Sequence, residues 1–413
     1  MSHSEDPTTA TRHLCAGAYL DEDFRDAALN QVYRQPHLAV APSYGFTLGP
    51  VLGHCLRARA VALARDGVIV AALAGAVLGR VLPLVLLAVG CSVGWTFWCR
   101  AQLRSFRPGR APTSPADTPR LREIERLQYG NTVIHGFHPY VGAGEVIGTW
   151  GFAQRLLRPA DPAGPPRAAS EREFARPPFA ADDLVTHLGR HLGSLVGGPG
   201  AVPGQSIAGL TVTDRVFLAG TEARRLRPMT SPHEIGRIIR HPASPARHQL
   251  ACQVVSGGGE VITTVHVHVA VQGRSLYLEV TTTALLPCAD AYRVVDREKP
   301  PTWWQTLGEG AARTPGVVLR APARLFRALP AGRVPAGLDE RLTRGFDHGA
   351  RVGVRELGSM PADLDRHPDV RKHQRLIEQQ AVAAVRDFLD ARGLDLVDFD
   401  RTVSGELNKI AAG

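Results

Sequence analysis

The sequence predicts an α+β protein: N-terminal helices and an apolar transmembrane or re-entrant hairpin, followed by a cytosolic domain with an antiparallel sheet and a long C-terminal helix. Three observations carry this prediction. Residues Gly67 to Cys99 are almost wholly apolar, with the single charge Arg80 near the middle. Two runs, the second half of Val261 to Val271 and Ser275 to Thr283, alternate apolar and polar residues with the period of a strand. Arg366 to Arg392 repeats Val370, Leu376, Ile377, Val382, Val385, Phe388 and Leu389 at helical spacing, and Gly393 ends it. The expected organisation is a helical region over 1–66, a membrane hairpin over 67–99, a Pro-rich linker over 100–120 and the α+β domain over 121–413.

Taken in order, Leu20 to Arg34 reads as a short helix with acids at its start, where the helix dipole favours them. Pro50 to Arg65 reads as a second helix running into the apolar segment. That segment has 33 residues, about 50 Å of helix against a hydrocarbon core of about 30 Å. A straight span is therefore too long, and Arg80 with Pro83 marks a place to turn. Arg57, Arg59 and Arg65 precede the run, and Arg100, Arg104, Arg107 and Arg110 follow it. Positive flanks mark the cytoplasmic side, so a hairpin with both termini cytoplasmic at the cell membrane satisfies the rule. Trp95, Trp98 and Arg100 then sit at the membrane interface, and Arg80 at the tip avoids a cost of roughly 2.5–3.5 kcal/mol at mid-bilayer. The first sixty residues lack a basic region followed by an apolar core, so no secretory signal is expected.

Beyond the linker, Pro119 to Gln128 and Ala180 to Leu195 read as helices, while Asn131 to His135, Trp150 to Leu157 and Ser206 to Ala219 read as strands. Gln272-Gly273 suits a hairpin turn, which would pair His268 with Tyr277 and His266 with Glu279. Val265, Val267, Val269, Leu276, Leu278 and Val280 then share one face. His266, His268, Tyr277, Glu279 and Thr281 share the other.

The chemistry follows from these placements. Two imidazoles and a carboxylate, His266, His268 and Glu279, can hold zinc or ferrous iron, or act as a carboxylate-oriented general base. A solvated sheet face produces the same pattern more often, with cross-strand contacts of only about 0.2–1 kcal/mol. The loop Gly142, Gly144, Gly148 suggests phosphate binding at first sight, beside the plainer reading of a tight turn in which glycines allow close backbone approach. Its spacing is GxGxxxG, however, no P-loop Lys-Ser/Thr follows, and Glu145 would repel an anion. Trp303 and Trp304, followed by Arg320, Arg324 and Arg327 on one helical face, fit an amphipathic helix on an anionic leaflet.

Composition limits the alternatives. Cys15, Cys55, Cys91, Cys99, Cys252 and Cys288 form no CxxC pair, which argues against a zinc framework or a disulfide scaffold. The net charge of +9 arises from scattered residues, of which only Lys299, Lys372 and Lys409 are lysine. No basic run interleaves with aromatic residues, so nucleic acid is not an expected partner. No GxSxG or HExxH signature is present.

The run PYVGAGEVIGTWGFA, with APSYG, HCLRAR and ARGLDLVDFD elsewhere in the chain, resembles a family of uncharacterised actinobacterial membrane-associated proteins. That resemblance extends over most of the chain and implies topology and lineage, with no assigned activity. The expected function is a membrane-anchored, cytosol-facing binding, scaffold or signalling protein. Its partners would be the lipid bilayer and another protein or a second copy. The alternative is a metal-dependent hydrolase using the His-x-His strand face.

Overall fold

The computed structural model describes residues 8–77, 81–160, 168–197, 206–223, 225–297, 301–328, 346–360 and 367–412. Six strands build one sheet: β1 (Thr132–His135), β2 (Glu145–Arg155), β3 (Leu210–Ala219), β4 (Arg247–Ser256), β5 (Val261–Gln272) and β6 (Ser275–Leu285), in the order β1-β3-β4-β5-β6-β2. The sheet is mixed, a correction to the expected antiparallel one. The edge strand β1 pairs parallel to β3, while every other neighbouring pair runs antiparallel. The partner of β1 lies about eighty residues downstream, a pairing no local pattern encodes.

The β5–β6 hairpin turns at Gly273-Arg274, with Gln272 opposite Ser275. Gly273 takes φ +62° as the first turn residue, the position at which a II′ turn demands glycine. The pairing is therefore displaced from the expected register: His268 faces Glu279 and His266 faces Thr281. The displacement is an even number of residues, so the segregation of faces survives. Val265, Val267, Val269, Leu276, Leu278 and Val280 are all buried. They pack against the helices α6 (Ala181–Ser194), α7 (Pro232–Arg240), α9 (Pro368–Ala391) and α10 (Val397–Ala412).

The N-terminal part forms a helical layer. It comprises α1 (Thr9–Leu20), α2 (Glu22–Ala28), α3 (Leu48–Val77), α4 (Val81–Leu103) and α5 (Pro119–Leu127), joined by α8 (Trp303–Ala328) from the second half of the chain. Its core also takes in Cys288, Tyr292 and Val354.

The expected membrane hairpin is overturned here. Among the described residues, no helix is long and apolar enough to cross a membrane. The apolar run is divided between α3 and α4, which fold back on one another: Ile69 packs with Ala88, and Arg65 lies 4.9 Å over the Trp95 ring. The side of these helices that the sequence assigns to lipid is partly covered by α8. Thr306, Gly310, Thr314 and Ala321 form a buried small-residue face on α8, and Gly310 sits so close to α4 that a Cβ would lie 2.9 Å from the Val93 Cα. Charges enter this packing too. Buried Asp66 pairs with Arg65 at 2.6 Å, and Arg324 of α8 reaches Glu22 at 2.5 Å. Hydropathy alone does not distinguish a lipid neighbour from an apolar helix neighbour, which is why the run misleads. Arg80, expected at the hairpin tip, lies outside the described residues.

Candidate functional site

The second face of the sheet was expected to be wet and is largely covered. Tyr140 lies over it, its ring 4.8 Å from His266 and 5.4 Å from Phe217, with Gln249 donating to its hydroxyl at 3.1 Å. Farther along, Tyr44 and Ala143 pack on Ile262 and Leu285. His266 is 1% exposed, and neither ring nitrogen has a hydrogen-bond partner among the described residues. Burial, helped by the charge on Arg215, lowers its pKa to about 3, so the ring is neutral at ordinary pH.

His268 lies toward the open end of the face. Its Nδ1 donates to the backbone oxygen of His248 at 2.7 Å. Opposite it, Glu279 accepts from the Tyr277 hydroxyl at 2.5 Å, a bond that raises the phenol to about 12. The structure thus brings His268 and Glu279 together as a cross-strand pair and packs His266 against Tyr140 and Phe217. Among the described residues, no group of three or more His, Cys, Asp or Glu side chains is placed to hold a metal ion.

The amides of the glycine loop are taken up by the protein's own Glu356. Gly142 and Gly144 both adopt φ +88°, and their N–H groups donate to Glu356 Oε1 at 2.6 and 3.0 Å. Gly353 N–H donates to Oε2 at 2.7 Å. Successive N–H groups of this kind form a concave nest suited to a carboxylate or phosphate. Glycine is required: a Cβ at Gly142 would lie 2.7 Å from the Pro42 oxygen, and one at Gly144 would collide with the Ala284 carbonyl. Gly148 stands apart in β2, beside the register shift after Val146. A cavity of about 590 Å³ adjoins the nest, between Tyr140, Glu145, Arg351 and Met360. Glu356 was missed in the sequence, although Gly353-Val-Arg-Glu has the spacing of a capping box.

A second unanticipated centre joins α1 to the sheet. His13 is 1% exposed, with Nδ1 2.5 Å from Glu260 Oε1 and Nε2 2.5 Å from Asp296 Oδ2. Arg12 pairs with Asp296 at 2.7 Å and Arg293 with Glu260 at 2.6 Å. These five residues come from three remote segments, so no local motif announces them.

The residues expected at a membrane interface divide into three groups. Trp98 packs edge-on to Tyr19 at 5.4 Å. Trp303 and Trp304 begin α8, 65% and 60% exposed. Trp95 and Arg100 line a cleft of about 560 Å³ between α1, α4, α8 and the segment Val294–Arg297. Its floor is Tyr19, Trp95, Leu103, Phe106, Val294 and Val295. Among the described residues, its rim carries Arg100, Arg104, Arg107, Arg297 and Arg313 against the single acid Glu309. Arg100 and Arg313 both pair with Glu309. Arg104, Arg107 and Arg297 make no ion pair among the described residues. Burial pushes the Cys99 thiol in the wall up to about 12, so it remains an uncharged thiol.

Residues 149–411 match the AbeC-like domain family, and the chain therefore belongs to that family. No curated protein and no solved structure matches the chain. The matched segment begins inside β2 and ends in α10, leaving α1 to α5 and β1 outside it. The cleft is built from both parts. Val294, Val295, Arg297, Glu309 and Arg313 lie inside the match, and Tyr19, Trp95, Arg100, Leu103, Arg104, Phe106 and Arg107 outside it.

Proposed function

We propose that this AbeC-like protein works by binding, and that its recognition site is the cleft between the N-terminal helices and the matched domain. One observation carries the reading: an apolar floor beneath, among the described residues, five arginines and one glutamate, in a concavity of the size that small-molecule sites occupy. Exposed guanidinium groups facing a concave apolar surface leave both charge and apolar area for a partner to satisfy. The hydrolase reading has less support. It needs His266, His268 and Glu279 to converge, whereas His266 is neutral, enclosed by aromatic rings and paired in register with Thr281.

The test is mass spectrometry of the full-length protein, first under native conditions and then after denaturation. A stoichiometric adduct that is lost on denaturation, and whose photo-crosslinks map to Trp95 or Val295, is the expected result. An adduct-free protein that instead carries stoichiometric zinc or iron, with the metal lost in a His268→Ala variant, would overturn the reading in favour of the hydrolase.

A further inference from the structure

We infer that the cleft takes one anionic amphiphile, an alkyl or acyl chain ending in a carboxylate or phosphate head. The inference rests on the binding reading above and specifies what is bound. The floor comes from elements on opposite sides: Tyr19 from α1, Trp95 and Leu103 from α4, Phe106 just beyond it, and Val294 and Val295 from the matched domain. These side chains offer no charge. The Tyr19 hydroxyl is held by His54 Nδ1 at 2.7 Å, so even this polar atom is already engaged. An apolar chain is what such a floor stabilises by burial.

The rim asks for the opposite chemistry. Arg104, Arg107 and Arg297 are exposed and free of ion pairs among the described residues, while one acid serves both Arg100 and Arg313. Guanidinium groups present planar donor pairs that match carboxylate and phosphate oxygens. A neutral hydrophobe would leave the rim unpaired, and a small hydrophilic anion would leave the floor empty. The two requirements together describe a molecule with a charged end and an apolar end. The site is a concavity between helices, which suits a single molecule over a bilayer surface.

The experiment is isothermal titration calorimetry on the full chain with four probes below their micelle concentrations: dodecyl phosphate, laurate, dodecanol and inorganic phosphate. Dodecyl phosphate and laurate should bind one to one, and their ratio identifies the preferred head. Each methylene removed should weaken binding about fourfold. Dodecanol and inorganic phosphate should each bind at least tenfold more weakly. An Arg104→Gln/Arg107→Gln double variant should lose about tenfold in affinity and part of the salt dependence. A Val295→Glu variant, checked by circular dichroism for native structure, should lose binding altogether.

The inference is overturned if inorganic phosphate matches dodecyl phosphate, if dodecanol matches it, or if the arginine variant binds unchanged. Binding seen only with anionic lipid vesicles, and never with monomeric probes, would also overturn it in favour of a membrane surface. A crosslinked adduct at Trp95 that proves not to be an amphiphile would sink this inference and leave the binding reading standing. With neither adduct nor amphiphile binding at the cleft, both fail.

Discussion

His13 and His266 are each 1% exposed, yet the two regions that hold them treat an imidazole in opposite ways. At the seam between α1 and the sheet, His13 has a carboxylate on each nitrogen and two arginines behind those carboxylates. Beneath Tyr140, His266 has aromatic rings as neighbours and no hydrogen-bond partner among the described residues. Burial alone penalises the charged form, whereas burial with opposite charges stabilises a network that fails if one member is removed. The difference teaches that a buried histidine is a clue to chemistry only through its neighbours.

The sharpest way to break this contrast is to truncate both rings. His13→Ala removes the imidazole between Glu260 and Asp296 and leaves each with its arginine alone, and the loss of two hydrogen bonds to charged groups should destabilise the protein by about 3 kcal/mol in urea unfolding. A loss under about 1 kcal/mol would show that the seam does not depend on the network. Glu356→Ala tests the same logic where the donors are backbone amides. Three N–H groups lose their acceptor, and a loss of about 2–3 kcal/mol is expected, with faster amide exchange at Gly142 and Gly144.

Smaller effects lie on the unpaired side. Glu378 is buried on the core face, accepting from Thr282 Oγ1 at 2.9 Å and Gln374 Nε2 at 3.0 Å, and burial raises its pKa. The folded state therefore holds this proton more tightly than the unfolded state. Its contribution to stability is full below the ordinary carboxylate value and is lost as pH rises through the raised folded value. Glu378→Gln should remove that decline and gain about 1 kcal/mol at pH 8, read from denaturation midpoints across pH. His266→Phe should change stability by less than about 1 kcal/mol at neutral pH, because the ring loses no partner. The folded pKa of His266 is depressed, so its destabilising effect begins as pH falls below 6.5 and grows until about 3. The phenylalanine variant should lack this component of acid sensitivity. An unchanged acid profile would mean that another group carries it.

Much of the sheet was legible because side chains alternate with a period that neither the turn nor the pairing partner alters. The face containing Val265, Val267 and Val269 was assigned correctly even with the register displaced, since the shift was even. The long helix was legible for a similar reason: Val370, Ile377, Val385 and Phe388 recur at the spacing of one buried stripe. What lay on the other face of the sheet was not legible. Tyr44 and Tyr140 cover it from more than a hundred residues upstream, and period-two alternation says only that a face is separate, never that it is solvated. The apolar run failed in the same way. Ile69 and Ala88 show that it is apolar, and it takes Ala321, Val317 and Val318 of the distant α8 to show what packs there. The site was partly legible. The glycines at 142 and 144 marked a tight loop whose spacing and Glu145 argued against phosphate, and nothing local pointed to Glu356. Trp95 and Arg100 were grouped by an interfacial argument, and the cleft they line needed Val295 and Arg297 to exist.

The turn carrying Glu356 bears on how the chain can be made. Arg355, its sequence neighbour, is buried and donates to the Tyr44 oxygen across 311 positions of chain and to the Glu260 oxygen across 95. Glu356 meanwhile closes the loop to Gly142 across 214. Two adjacent side chains thus fasten three segments synthesised long before them. During translation the N-terminal helices can form early, but the rivet that locks residue 44 to the sheet arrives only after position 356 has left the ribosome. Contacts of such separation slow folding and leave intermediate surfaces uncovered for the interval. A nascent chain stopped at residue 340 would therefore expose to chaperones and proteases the strand face that Tyr44 and Tyr140 cover in the finished protein.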